Sequence, residues 1–155
     1  MDAIDVTARD GSGVRIRRLE TRDVDDLRRI DRAVVLAGHG VVRSVDDVES
    51  SNERMPERVE AWLERIDQGD GLFVVAERAG RVVGDALVER VRPAFLRHVA
   101  AVAVQVEPDA QALGLGRLLM ERVIDWAVAG RTIHRLELYV RSDNVRARRL
   151  YESVS

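Results

Sequence analysis

A glycine-rich turn placed directly before an amphipathic helix is the feature that most limits how this chain can fold. The stretch VEPDAQALGLGRLLMERVIDWAV, residues 106–128, contains a proline, two glycines two positions apart and then apolar residues at helical spacing. A helix start leaves up to four backbone N–H groups unpaired and carries a partial positive charge, so it binds phosphate readily. Gly114 and Gly116 would let a ligand approach the backbone, and Arg117 adds a cation. The stretch therefore predicts an anion site in front of a rigid helix.

Two common nucleotide-binding loops do not match this stretch. The chain has no G-x-x-x-x-G-K-[ST] pattern. The dinucleotide pattern G-x-G-x-x-G fails because Leu119 occupies the position of its third glycine. ATP and NAD sites of those kinds are therefore not expected.

The residue types that the chain lacks exclude several classes of active site. It has no cysteine, which excludes disulfides, thiolate metal sites and a cysteine nucleophile. All 25 basic residues are arginine, so a lysine base or Schiff base is excluded as well. The three histidines, His39, His98 and His134, are too far apart in sequence to form a local His-pair motif, and we expect no metal.

The length of the chain favours a single domain, and the absence of targeting signals favours a cytoplasmic location. The 155 residues suit one core, which we place in residues 14–155, and the polar residues 1–13 predict a loose N-terminal tail. Neither a signal peptide nor an apolar run of about 18 residues is evident, so we expect a cytoplasmic protein without membrane contact. The net charge of −2 argues against nucleic acid as a partner.

Hydrophobic periodicity predicts five strands and four helices. In order, the predicted elements are a strand at 14–20, helices from Asp23 and Pro56, a hairpin turning at Gly80, a strand at 98–106, the quoted helix, a strand at 134–140 and a helix capped by Ser142 or Asp143. Residues 38–55 are expected to form a mobile loop. The order β-α-α-β-β-β-α-β-α describes an α/β fold with a mixed, mostly antiparallel central sheet flanked by helices.

A longer pattern around the glycines resembles a known family. The residues V-x-P-x-x-Q-x-x-G-x-G at 106–116 are similar to the acyl-CoA loop Q/R-x-x-G-x-G/A of the GNAT superfamily of N-acetyltransferases. Downstream, LELYVRSDNVRARRLYE resembles the Asn-x-x-Ala-x-x-x-Tyr helix of that family, with Asn144, Ala147 and Tyr151 in place. The order of strands and helices also agrees from about residue 14 onward.

The resemblance implies an acyl-CoA N-acyltransferase fold that binds acetyl-CoA where the fourth and fifth predicted strands splay apart. The pantetheine arm would pair with the backbone of Val104, Gln105 and Val106. The pyrophosphate would be held by amides from Gln111, Ala112, Leu113, Gly114, Leu115, Gly116 and Arg117. Asn144 and Ala147 would border the cofactor, and Tyr151 would protonate the leaving thiolate as general acid.

The general base is left open by the sequence. Many relatives use a glutamate on the fourth strand, but the equivalent positions here are Ala101 and Ala103. Glu89, His98, His39 and a water relay are the candidates, although each of the three side chains also fits an ordinary surface position. The two alanines would instead widen the acceptor pocket.

Acetyl transfer to a primary amine of a small molecule or peptide is the predicted function. The alternative is a CoA-binding sensor or assembly module without catalysis, and release of free CoA in the presence of an amine distinguishes the two. Arg43 would hold a substrate carboxylate or lie in solvent. The chain also lacks the C-terminal strands usual in the resembled family, so we expect a truncated chain or a homodimer that covers the edge of the fifth predicted strand.

Overall fold

A six-stranded sheet forms the centre of the computed structural model, which describes residues 1–38 and 43–155. The strands, in chain order and in sheet order, are β1 Ile4–Thr7, β2 Gly13–Arg18, β3 Gly71–Arg78, β4 Arg81–Arg90, β5 Val99–Val106 and β6 Arg135–Glu137. Neighbours pair antiparallel except β5 and β6, which run parallel. The predicted mixed, mostly antiparallel sheet is thus confirmed.

Helices cover both faces of this sheet. They are α1 Val24–Ala37, α2 Val45–Glu53, α3 Met55–Asp67, α4 Leu115–Ala129 and α5 Val145–Val154. One core lies between the sheet and α4, where Leu115, Leu119 and Val123 are fully buried. A second core lies between the opposite face and α1 and α3, around Ile30 and Val59. Apolar helix faces repeating every three to four residues fix which side of each helix meets the sheet.

The hairpin between β3 and β4 turns where the sequence predicted. Ala79 and Gly80 form the two-residue turn, and both adopt left-handed backbone angles, with φ of 52° and 74°. A two-residue hairpin turn of this hand matches the right-handed twist of the strands. Three residues beyond the turn the register shifts by one, since Glu77 pairs with Val82 but Ala76 pairs with Gly84. The turn and this β-bulge together set the register of β4, against which β5 pairs.

The predicted loose tail is wrong for residues 4–7, which form β1. This strand pairs antiparallel with β2 in the register Ile4↔Ile16 to Thr7↔Gly13. Ile4 and Val6 pack against the core beneath α4, so burial of their side chains offsets the ordering cost of the segment. The alternation in IDVT is a strand signal that the polar composition of residues 1–13 obscured.

Two further predicted elements need correction. Residues 45–53 of the expected loop form α2, and Ser44 and Asp47 make a reciprocal capping box at its start. The strand predicted at 134–140 is paired only over Arg135–Glu137. The observed order of elements is therefore β-β-α-α-α-β-β-β-α-β-α.

Candidate active site

A gap opens between β5 and β6 because the two strands pair over only three residues. Val99 to Ala101 face Arg135 to Glu137 in parallel register, and from Val102 onward no described strand lies on that side of β5. The other edge of β5 stays paired with β4 as far as Val106. Of the three predicted residues, Val104 and Val106 turn their backbone groups to the open edge, where a strand has no neighbour to pair with, although the Val106 carbonyl accepts from Gln111. The backbone of Gln105 points to β4 instead.

The gap leads to the start of α4, where the sequence predicts an anion site. Gly114 is the residue before the helix and has φ of 81°, a left-handed conformation that favours glycine. Ala112 also has positive φ, at 70°. No side chain from the described residues caps the helix at Gly114, so the N–H groups of its first turn remain available to an anion.

Gly116 has a packing role that the sequence did not reveal. A Cβ on Gly116 would lie 3.0 Å from Cδ2 of Leu150 in α5. The missing side chain therefore lets α5 approach the first turn of α4. This contact holds together the two segments, 106–116 and 144–151, that carry the predicted motifs.

Polar side chains fix the shape of the loop between β5 and α4. The Gln111 amide nitrogen donates to the Val106 carbonyl at 3.1 Å, and its oxygen accepts from Arg146 at 3.0 Å. Gln111 thus ties the end of β5 to α5. Arg117, expected to add a cation, pairs with Glu121 at 3.1 Å one turn along α4.

Arg9 is a basic residue at this loop that sequence analysis missed. Its backbone N–H donates to the Leu113 carbonyl at 3.1 Å. Its side chain lies over Gly114, since a Cβ built there would be 3.3 Å from Nε of Arg9. The short strand β1 carries Arg9 to the loop, so recognising that strand would have been the signal.

The last helix presents the predicted motif along one face. The Asn144 side chain accepts from the Ala147 N–H at 3.1 Å and caps the N-terminus of α5. Asn144, Ala147 and Tyr151 are all partly buried, whereas the residues between Ala147 and Leu150 are exposed. The helical spacing i, i+3, i+7 is thus confirmed as a single inward face.

The hydroxyl of Tyr151 lies in surroundings that keep it protonated. The side chain packs against the core beneath α4. Burial raises the pKa of its hydroxyl above the ordinary value of 10.0. The group is therefore protonated at neutral pH, as a general acid must be before it acts.

On the opposite face of β5, toward α1 and α3, part of the sheet is uncovered, and we call this exposed surface the cleft. Ala101, Ala103 and Gln105 alternate on this face of β5, opposite Glu89, Leu87 and Asp85 of β4. Ala101 and Ala103 are exposed even though they lie within the sheet, so nothing described covers this part of the strand. Their small side chains leave an open floor beside the free edge of β5.

The predicted base candidates differ in their surroundings. Glu89 lies on the cleft face and pairs with Nη1 of Arg65 at 3.1 Å. His98 is exposed just before β5, and its carbonyl accepts from the backbone N–H groups of His134 and Arg135. His39 lies outside the described residues. The structure brings Glu89 to the cleft floor but does not bring His98 into it.

A buried polar network at one end of the cleft was also missed. The amide nitrogen of Gln105 donates to Oδ1 of Asp31 at 2.7 Å and to Oδ2 of Asp85 at 2.9 Å. Asp31 and Asp85 are each only 5% exposed. The pKa of Asp85 is raised from 3.8 to about 7, mainly because burial disfavours the charged carboxylate. The hydrogen bond from Gln105 and the charge of Arg58 lower this pKa, whereas the charge of Asp31 raises it.

Two arginines approach this network from the helical side. Nη1 of Arg43 lies 3.8 Å from Oδ2 of Asp31, and Nη1 of Arg58 lies 4.0 Å from the same oxygen. Neither separation is a hydrogen bond, and the Arg58 atom has no hydrogen-bond partner among the described residues. Arg43, predicted to hold a substrate carboxylate or to lie in solvent, is positioned beside a buried acid.

The described part of the chain holds neither a metal-binding cluster nor a helix that could span a membrane. Over residues 1–38 and 43–155, no three histidine or acidic side chains gather in a group that would hold a metal ion. None of the helices in those ranges has the length and apolar character needed to cross a bilayer.

Comparison with curated proteins finds acetyltransferases. A 47-residue segment, 30% of this chain, is 51% identical to mycothiol acetyltransferase from Beutenbergia cavernae and covers 16% of it. Over 105 residues the chain is 28% identical to spermidine N(1)-acetyltransferase from Vibrio cholerae, with 67% of this chain and 60% of the relative covered. The matches thus span less than two thirds of either relative.

The solved structures that this chain resembles also include acetyltransferases. An acetyltransferase of the GNAT family from Streptococcus pneumoniae shares the fold with a TM-score of 0.81 at 23% identity, covering 92% of this chain and 83% of the other. A putative acetyltransferase from Salmonella typhimurium, solved with its cofactor acetyl-CoA, has a TM-score of 0.73 at 28% identity, with 90% and 77% covered.

The family model is the comparison that decides membership. It matches residues 41–154, which include the loop at 106–116 and the helix face that ends at Tyr151. The chain belongs to the Acetyltransferase (GNAT) family.

Proposed function

We propose that this protein transfers an acetyl group from acetyl-CoA to a primary amine. The observation that carries the proposal is the open edge of β5, which leads directly to the uncapped start of α4. An extended arm that ends in a pyrophosphate matches those two features in that order. The solved relative with acetyl-CoA and the family match support the same cofactor.

The residues that would contact the cofactor come from β5, from the loop before α4 and from α5. Backbone groups of Val104 and Val106, with Gln105 between them on β5, would border the pantetheine arm. Amides of Gln111, Ala112, Leu113, Gly114, Leu115, Gly116 and Arg117 would surround the pyrophosphate, and Ala147 would leave room beside it. We add Arg9, whose guanidinium lies over Gly114 and would contribute a positive charge.

Tyr151 would protonate the leaving group. When the amine nitrogen bonds to the acetyl carbon, the carbon–sulfur bond breaks and the sulfur leaves as a thiolate. A protonated phenol at the end of the α5 face would give that sulfur a proton. The raised pKa of Tyr151 agrees with this role, because the hydroxyl stays protonated until the thiolate forms.

The acceptor would enter from the opposite face, over Ala101 and Ala103. These exposed alanines leave space where a larger side chain would block the strand. Small-molecule amines and peptide amino groups are both chemically suited to this cleft. The spermidine relative makes spermidine a sensible first acceptor to test.

Release of free CoA tests the proposal. The purified chain would be mixed with acetyl-CoA and, separately, spermidine, an L-amino acid or a short peptide with a free N-terminus, and the new thiol would be measured with a thiol reagent. The chain has no cysteine, so it adds no thiol background. We expect CoA release that depends on one of these amines. Saturable acetyl-CoA binding without release by any amine would instead support the sensor or assembly module.

Dimerisation and a cytoplasmic location remain predictions. β6 is an edge strand of the described sheet, and a second copy of the chain that covers this edge is expected. Sedimentation at several protein concentrations would show the dimer. Cell fractionation would test the expected cytoplasmic location.

A further inference from the structure

We propose that Asp85 is the catalytic base that takes the proton from the acceptor amine, with Gln105 and Asp31 holding it in position. This inference rests on the proposed acetyl transfer and assigns the role for which Glu89, His98, His39 and a water relay were the candidates. Asp85 lies on the cleft face of β4, directly opposite Gln105 of β5.

Asp85 lies beside the open floor of the cleft. Ala103 is the diagonal neighbour of Asp85 across the β4–β5 pair, and such diagonal neighbours are about 7–8 Å apart, with their Cβ atoms somewhat closer. Because Asp85 is only 5% exposed, an amine resting on Ala103 would reach its carboxylate through one water, which is within the range of proton transfer. Glu89 is at the far end of the same row, four residues along β4, and its carboxylate is paired with Arg65.

Gln105 holds the Asp85 carboxylate from the neighbouring strand. Its backbone points to β4, opposite Asp85, and it lies between Val104 and Val106, whose backbone groups face the open edge where we place the cofactor arm. Its side chain uses the two amide hydrogens on Asp31 and Asp85, at 2.7 and 2.9 Å. Since an amide group donates from a fixed plane, Gln105 restricts where the Asp85 carboxylate points, and it is a positioning residue.

The surroundings of Asp85 raise its pKa into the range that a base needs at neutral pH. Burial is the main reason that its pKa rises to about 7. Asp31 on α1 raises the pKa further, whereas Arg58 on α3 and the Gln105 amide on β5 lower it. A base with a pKa near the working pH is both ionised in part and strong enough to accept a proton.

The proposed reaction balances as follows. The Asp85 carboxylate accepts one proton from the substrate ammonium and leaves a neutral amine with a free electron pair. That pair forms the carbon–nitrogen bond while the carbon–sulfur bond breaks, and Tyr151 protonates the departing thiolate. The nitrogen gives up its second proton, which returns to Tyr151 through solvent, and Asp85 releases its proton to water. The products are the acetamide, CoA and one proton.

The first experiment compares Asp85→Asn with Glu89→Gln, which removes the other carboxylate on the same strand face. Acetyl-CoA binding is measured by calorimetry, and kcat/KM for the best amine of the panel is measured from pH 5.5 to 9. We expect Asp85→Asn to bind acetyl-CoA normally and to lose roughly 100-fold or more in kcat/KM at pH 7. The wild type should gain activity with a midpoint near pH 7, and Asp85→Asn should lose that rise. Glu89→Gln should keep it.

Asp31→Asn provides a second test that keeps the Asp85 carboxylate. Removing the negative charge of Asp31 should lower the pKa of Asp85, so the midpoint of the pH profile should move to lower pH. A merely structural role for the network would change the rate without moving the midpoint.

Three outcomes would overturn the proposal. Asp85→Asn with activity within about threefold of wild type would do so, and so would a midpoint that does not move in Asp31→Asn. If the wild type binds acetyl-CoA but releases no CoA with any amine, the proposed function itself fails. That last result is separate from the first two, because it appears before any variant is made.

Discussion

The side chain of Arg9 lies across Gly114, close enough that a Cβ on Gly114 would sit 3.3 Å from Nε of Arg9. These residues are more than 100 positions apart in the chain. A backbone bond from the Arg9 N–H to the Leu113 carbonyl holds them together. The arrangement places a cation beside the N–H groups at the start of α4, so substitutions of Arg9 and of Gly114 should both affect acetyl-CoA binding.

Arg9→Ala should weaken acetyl-CoA binding without unfolding the protein. The lost guanidinium is exposed, so we expect a rise in Kd of roughly three- to tenfold and a smaller dependence of Kd on salt. Arg15→Ala is a matched control, because Arg15 is an exposed arginine on the neighbouring strand β2. Calorimetry at two ionic strengths makes the measurement. Equal effects of the two substitutions would count against a phosphate contact of Arg9.

Gly114→Ala should reduce both stability and cofactor affinity. A side chain in left-handed backbone costs about 1–2 kcal/mol, and here it would also press on Arg9. Gly80→Ala is the control, since Gly80 has a similar φ of 74° and open space around its Cβ position. Both variants should lose stability in urea unfolding. Only Gly114→Ala should raise the Kd of acetyl-CoA, and a similar rise in Gly80→Ala would contradict the loop assignment.

Tyr151→Phe should slow the reaction while leaving the cofactor bound. Removal of the proton donor is expected to lower kcat by roughly 100-fold, with little change in the Kd of acetyl-CoA. Tyr139→Phe removes a hydroxyl from a side chain that is 89% exposed, and it should leave kcat unchanged. Steady-state kinetics with calorimetry would separate the two effects. An unchanged kcat in Tyr151→Phe would exclude Tyr151 as the general acid.

Ala103→Leu should obstruct the acceptor but not the cofactor. The larger side chain would fill the exposed floor of the cleft, so KM for the amine should rise by roughly tenfold or more. The matched control is Ala61→Leu, because Ala61 is exposed in α3 and lies outside the row of β5 residues that forms the floor. Comparison of KM for the amine with Kd for acetyl-CoA checks the result. Loss of acetyl-CoA binding would show that the two ligands share this face.

Stability should depend on pH through Asp85 with a definite sign. Because the folded protein raises the pKa of this carboxyl from 3.8 to about 7, the unfolded chain loses its proton first. The free energy of unfolding should therefore fall as pH rises from about 4 to about 7. Asp85→Asn removes this contribution, so its stability relative to wild type should be greater at pH 8 than at pH 5. Urea unfolding at both pH values measures the difference, and no change with pH would mean that Asp85 is not buried as an acid.

Local patterns in the sequence were enough for the elements whose contacts are near in the chain. The turn at Ala79 and Gly80, the helix after Gly114 and the single face of Asn144, Ala147 and Tyr151 all depend on residues a few positions apart. Backbone sterics and helical periodicity act over that range, so the sequence predicts them directly. The strand β1 and the helix α2 were also locally encoded, by IDVT and by the capping box at Ser44, but polar composition hid both signals.

Only the tertiary structure decided which side chains meet. Asp31, Asp85 and Gln105 come from α1, β4 and β5, and their contact depends on the register of one strand pair and the packing of one helix. A shift of that register by one residue would turn Asp85 to the other face of the sheet. The pKa of Asp85 follows from burial, which likewise exists only after folding. The sequence by itself therefore determined the glycine loop and its helix, whereas the folded sheet decided where the acids and Arg9 lie, because those contacts join segments far apart in the chain.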